Sequence, residues 1–169
     1  MKKILICVAF IFILSGCNTV TKETVVVDDV TQYSNISVEQ LKEVMGEPVL
    51  KEDWTNKTSK GNFKVSTWGY DKDTRHYEFI IADKKVVRAT INSGDYWNRD
   101  GNKFEYDGDI NTVFKMFNVV PDKSARKKDT GSAYILRPAN NIISEFNIQD
   151  INNNTFGMVK VTYNHDYFD

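Results

Sequence analysis

The chain has 169 residues, with 22 Lys and Arg against 23 Asp and Glu and a formal net charge of −1. That balance lacks the basic excess on which nucleic-acid binding rests, so no nucleic-acid partner is expected. With 41% hydrophobic and 27% charged residues the chain has the composition of a folded globular protein, and its two cysteines are too few for a disulfide framework or a four-thiolate zinc site.

The chain starts Met1-Lys2-Lys3 and continues in an unbroken apolar run from Ile4 to Leu14. As a helix this run covers roughly half of a ~30 Å hydrocarbon core at about 1.5 Å per residue. It is too short to span a bilayer and suits the apolar region of a secretory signal. Leu14-Ser15-Gly16-Cys17 follows and resembles the bacterial lipobox. The resemblance implies that residues 1–16 are a lipoprotein signal peptide, cleaved before Cys17, with diacylglyceryl on the Cys17 sulfur and an acyl group on the new amino terminus. One chain holds only marginally at about 0.8 kcal/mol per buried methylene, whereas two or three anchor stably. An ordinary secretory signal with a chance cysteine, or an N-terminal helix left in the membrane, is the alternative. The expectation is an exported protein, anchored to the cell membrane through lipid on Cys17. By analogy with enterobacterial lipoproteins, Asn18 in place of aspartate permits the outer membrane if the host is Gram-negative.

Residues 17–35 are polar, lack helical period and read as a lipidated tether; Val25-Val26-Val27 is either spacer or an edge strand. From Ile36 the pattern sharpens. Ser37-Val38-Glu39-Gln40 has the form of a capping box, and Val38, Leu41, Val44 and Met45 make one apolar face. Gly46 suits a C-terminal cap and Pro48 blocks continuation, so the spacing predicts a helix from Ser37 to Met45. Runs at 63–70, 76–82 and 85–92 read as strands. Alternation puts Tyr77, Phe79 and Ile81 with Val87, Ala89 and Ile91 on the face under the helix, and His76, Glu78, Arg88 and Thr90 on the other.

Residues 93–108, with Gly94, Gly101 and Gly108, read as a linker. Asp109 then caps a second helix, Ile110 to Phe117, and runs at 132–137, 142–148 and 156–164 read as three more strands. Val86-Val87-Arg88-Ala89-Thr90-Ile91-Asn92 matches Met158-Val159-Lys160-Val161-Thr162-Tyr163-Asn164, and Glu78-Phe79 has a counterpart in Glu145-Phe146. Internal similarity of this kind predicts an α+β fold of two tandem helix-plus-three-strand units, 36–92 and 109–169, each a short helix on an antiparallel sheet. One α+β domain with six strands is the alternative.

The stretch Ile36 to Pro48, with Trp54, Trp68-Gly69-Tyr70, Tyr77-Glu78-Phe79 and Val86-Val87, resembles the SmpA/OmlA (BamE) lipoprotein family. In tandem such units are similar to the β-lactamase-inhibitor-protein-like fold. The resemblance implies a concave sheet presented to a protein partner, or an accessory role in an outer-membrane protein assembly complex.

Chemistry is sparse. His76 and His165 stand apart from any serine elbow, so no enzyme activity and no cofactor are expected. A calcium-loop reading around Asp95 to Asn102 puts Tyr96 and Asp107 where the anchoring carboxylates belong, and no metal is expected. Lys123, Arg126, Lys127 and Lys128 form a basic cluster, either a solvated loop or a contact for an acidic partner or lipid headgroups. Trp68 and Tyr70 share strand parity with Lys64 and Ser66, which puts them off the helix-covered face as hot-spot candidates unless the strand bulges. Glu78 with Arg88, and Glu145 with Lys160, form repeated polar pairs on the face away from the helix. The expectation is a non-enzymatic binding module that holds an unidentified envelope, secreted or phage-derived protein on its sheet through Trp68, Tyr70, Glu78 and Arg88.

Overall fold

A computed structural model describes residues 24–94 and 102–169. The lipobox with Cys17, Trp97 and most of the weighed calcium loop lie outside these residues.

Helix α1 spans Val38–Met45. Ser37 Oγ accepts from the Gln40 N–H, and Gln40 Oε1 accepts from the Ser37 N–H, so the capping box forms as the sequence predicts. Gly46 ends the helix at φ +83°, a conformation that costs glycine little. Four strands follow: β1 Leu50–Thr58, β2 Gly61–Lys72, β3 Arg75–Ala82 and β4 Lys85–Asn92. The β2–β3 and β3–β4 hairpins turn on Asp73-Thr74 and Asp83-Lys84, both residues of each pair at positive φ. Such primed turns match the twist of the strands they join. After β5, Phe104–Glu105, helix α2 spans Ile110–Met116 with Asp109 as its cap. Then come β6 Arg126–Asp129, β7 Ala133–Arg137, β8 Glu145–Gln149, β9 Thr155–Phe156 and β10 Met158–Thr162.

Eight of these strands form one antiparallel sheet in the order β1-β2-β3-β4-β10-β8-β7-β6, and β5 pairs with β9 in a small second sheet. This corrects the expected fold class. The molecule is strand-dominated, with four strands from each half rather than three. The halves are not separate units, because β4 and β10 pair directly and close a single sheet. The similarity between residues 86–92 and 158–164 marks the two central strands of that sheet.

Both helices lie on one face, over a core that includes Leu41, Phe79, Ala89, Ile91, Phe114, Phe117, Phe146, Val159 and Val161. Each large apolar side chain buried here contributes about 1.5–3 kcal/mol. Residues 24–35, expected to continue the tether, are part of the body instead. Asp29 caps a 3₁₀ turn, Val30–Tyr33, in which Val30 and Tyr33 are buried. The Val27 N–H donates to the Met116 carbonyl at 2.7 Å, and the Tyr163 hydroxyl donates to the Val30 carbonyl at 2.7 Å. The supposed linker likewise contains β5.

The opposite face has a smaller apolar cluster at one end, where Val65, Ala82 and Val87 are covered by Phe168, which follows the C-terminal 3₁₀ segment His165–Tyr167. Val87 was expected under the helix. The β3–β4 register shifts between Ile80 and Ile81, which pairs Ile81 with Val86 and leaves Val87 in the opposite cluster. A bulge of this kind flips the parity of everything beyond it.

Candidate functional site

The sheet face away from the helices is polar across its centre. Its geometry follows from register. One row crosses the sheet as Gly69, Glu78, Thr90, Lys160 and Asn147; the next runs Thr67, Ile80, Arg88, Thr162 and Glu145. The rows are reciprocal about the β4–β10 seam: Arg88 lies opposite Thr162, and Lys160 opposite Thr90. Each glutamate stands on the strand outside a threonine, Glu78 beside Thr90 and Glu145 beside Thr162. The pairs recorded in the sequence, Glu78 with Arg88 and Glu145 with Lys160, therefore share one face as expected, but they are diagonal rather than opposite.

Each charged group here has a defined environment. Arg88 lies over the Phe168 ring, 3.4 Å from its centroid, and donates from Nε to Thr162 Oγ1 at 3.1 Å. Burial lowers its pKa. Burial also lowers the pKa of Lys160, and repulsion from Arg88 adds to the effect. Glu145 is 5% exposed and forms an ion pair with Arg137. At the other edge of the rows His76 is fully buried, with Nδ1 2.7 Å from Asp71 Oδ1 and Nε2 3.5 Å from Glu78 Oε1. Burial works against a charged imidazole, yet hydrogen bonding to Glu78 and Asp71 outweighs it and holds the His76 pKa above its ordinary value. Among the described residues no group of three or more His, Cys, Asp or Glu is placed to hold a metal ion.

Of the four expected partner-binding residues, Glu78 and Arg88 lie on this polar face and Trp68 and Tyr70 do not. Trp68 pairs with Phe79 and Tyr70 with Tyr77, so both point toward the helices. Tyr70 is core: it is 2% exposed and meets Phe79 edge-on at 5.7 Å. Trp68 is half-buried under Lys51, whose Nζ lies 4.4 Å from the ring centroid. It borders a cleft of about 560 Å³ shared with Val38, Trp54 and Ile81. Strand parity within 63–70 was read correctly; the face was not. Phe63 and Val65 belong to the smaller cluster on the polar side, so the residues of opposite parity face the main core. The basic cluster has an unexpected setting as well. Arg126, Lys127 and Lys128 form part of the edge strand β6 rather than a loop.

No family model matches the chain, and no curated protein matches it. Among solved structures it is similar to a cysteine-rich secretory protein from Staphylococcus aureus subsp. aureus Mu50, with 8% identity, a TM-score of 0.44, and coverage of 81% of this chain and 50% of that one. It is also similar to an extracellular protein containing an SCP domain from Bacillus anthracis str. Ames, with 15% identity, a TM-score of 0.40, and coverage of 80% and 46%. The chain thus spans about half the length of the structures it matches. At this level of likeness the two neighbours assign neither location, activity nor partner. The SmpA/OmlA and β-lactamase-inhibitor-protein-like resemblance is corrected by these findings and by the single eight-stranded sheet.

Proposed function

We propose that this is an exported protein, held at the cell envelope by lipid on Cys17, that works without catalysis by binding a partner protein on the polar face of its sheet. The observation that carries the binding reading is the reciprocal pair of rows at the β4–β10 seam. A broad sheet backed by a packed core holds Glu78, Arg88, Lys160 and Glu145 in fixed register, which is what a charge-specific interface needs. Export and anchoring rest on the basic start, the apolar run and Leu14-Ser15-Gly16-Cys17. The accessory role in outer-membrane assembly rested on the family resemblance and falls with it.

The test is a pull-down with the intact lipidated protein, followed by identification of what it holds. Reversing charge at Arg88→Glu and Lys160→Glu together is expected to release the partner while urea unfolding remains cooperative. A partner retained by the reversed protein would place the interface elsewhere. Mass spectrometry of protein from its native cells is expected to show a mature chain that begins at acylated Cys17; an unmodified start would remove the anchor from the reading.

A further inference from the structure

The polar face holds two half-buried cations with no direct ion pair to a described residue, although Glu145 attracts both from a distance and Glu78 attracts Lys160. Arg88 and Lys160 are diagonal neighbours across an antiparallel pair, a separation of roughly 7–8 Å or less. Arg88 uses Nε on a neutral hydroxyl and stacks on an apolar ring. Among the described residues Lys160 makes no hydrogen bond or ion pair at all. The carboxylates nearby are differently engaged: Glu145 is paired with Arg137, and Glu78 lies beside His76. Opposite Lys160, Asn147 is 8% exposed and its side-chain oxygen has no hydrogen-bond partner among the described residues. A turned amide would present its NH₂ to the same space.

Removing a cation from water without a directly paired anion is costly, and two adjacent cations add repulsion. Both costs are relieved by one negative group placed between them. We propose that Arg88 and Lys160 form a site for a single carboxylate from an acidic segment of a partner protein, seated across the β4–β10 seam. The proposal deepens the protein-binding reading above and rests on it. A monoanion fits better than a phosphate dianion, because buried Glu145 borders the site and opposes a second negative charge.

The test uses full-length lipidated protein in detergent micelles and a fluorescein-labelled hexaglutamate peptide, read by fluorescence anisotropy at low salt. Lys160→Met and Arg88→Met are each expected to weaken peptide binding by about tenfold, the loss of one charge-assisted contact. Changing Lys127 and Lys128 together to Met, on the distant β6 edge, is expected to leave it unchanged. Binding that survives both face variants, or that vanishes with the edge variant, overturns the proposal. If Lys160→Met fails to unfold cooperatively in urea, Lys160→Gln takes its place. Lys160-dependent peptide binding with no protein captured in the pull-down would sink the protein-binding reading and leave the carboxylate site standing. A captured partner indifferent to both cations would do the reverse.

Discussion

At Gly69 the packing would crowd a methyl group, and its neighbours would have to give by a few tenths of an ångström. A Cβ there would meet His76 Cε1 and Leu50 Cβ, each at 3.2 Å. The glycine in Trp68-Gly69-Tyr70 is thus a slot for the imidazole that pairs with Asp71. Gly69→Ala is expected to destabilise the protein by about 1–3 kcal/mol in urea unfolding, the usual cost of overpacking. The imidazole itself makes stability depend on pH. The His76 pKa is raised above 6.5 on folding, so its contribution is complete below about 6.5 and is lost as the pH rises through the folded value. His165 acts in the opposite sense. Burial first, and Arg137 next, lower its pKa, so it opposes folding as the pH falls below about 6.5. Comparing wild type with His76→Gln isolates the first effect. The stability advantage of wild type should shrink between about pH 6 and about pH 8, and an advantage that grows over that range would refute the assignment.

At the level of elements, the C-terminal segment acts as a cover. Phe168 closes the apolar cluster of Val65, Ala82 and Val87, and Tyr167 meets Phe63 edge-on at 5.2 Å. Phe168→Ala should cost about 3 kcal/mol by the cavity it leaves, measured by thermal or urea unfolding. Both helices and six of the ten strands are legible in the sequence, because a packed element advertises its buried side. The two-residue strands β5 and β9 are too short to stand out as strands of their own, and β1 and β6, the outer strands of the large sheet, are hidden for another reason. Leu50-Lys51-Glu52-Asp53-Trp54-Thr55-Asn56-Lys57-Thr58 and Arg126-Lys127-Lys128-Asp129 have little to bury, and no alternation betrays them. Charge along an outer strand is what keeps one sheet from adding to another, so the feature that hides these strands is part of their role. The misassigned face of Trp68 and Tyr70 has a related cause. Two apolar clusters lie on opposite sides of the first half, and parity alone cannot say which one the helix covers. On the polar face, Glu78 and Arg88 were legible because one element period sets both. The reciprocal arrangement with Thr90 and Thr162 was not, because it depends on pairing between strands far apart in the chain.

The seam between β4 and β10 decides how the molecule behaves as a whole. Core residues from both strands, Ala89 and Ile91 with Val159 and Val161, interlock beneath it, so neither half has a complete core alone. Unfolding is therefore expected to be a single transition. Trp54 and Trp68 report on the first half, whereas far-ultraviolet circular dichroism reports on both. In a Trp97→Phe background the two signals should coincide through a urea titration. A fluorescence midpoint distinct from the dichroism midpoint would mean that the halves part company.

The ends of the described chain are also exchanged between halves. Val27 and Val30 donate to the Met116 and Phe117 carbonyls, while Asn56, Ser59 and Lys60 hold Tyr167, Asp169 and His165. A ribosome delivers these parts in the wrong order for early closure. The first segment must wait for α2, and β4 must wait for β10, before either finds its place. A chain built this way stays open until late in its synthesis, and a fragment that stops short of β10 leaves β4 with a bare edge.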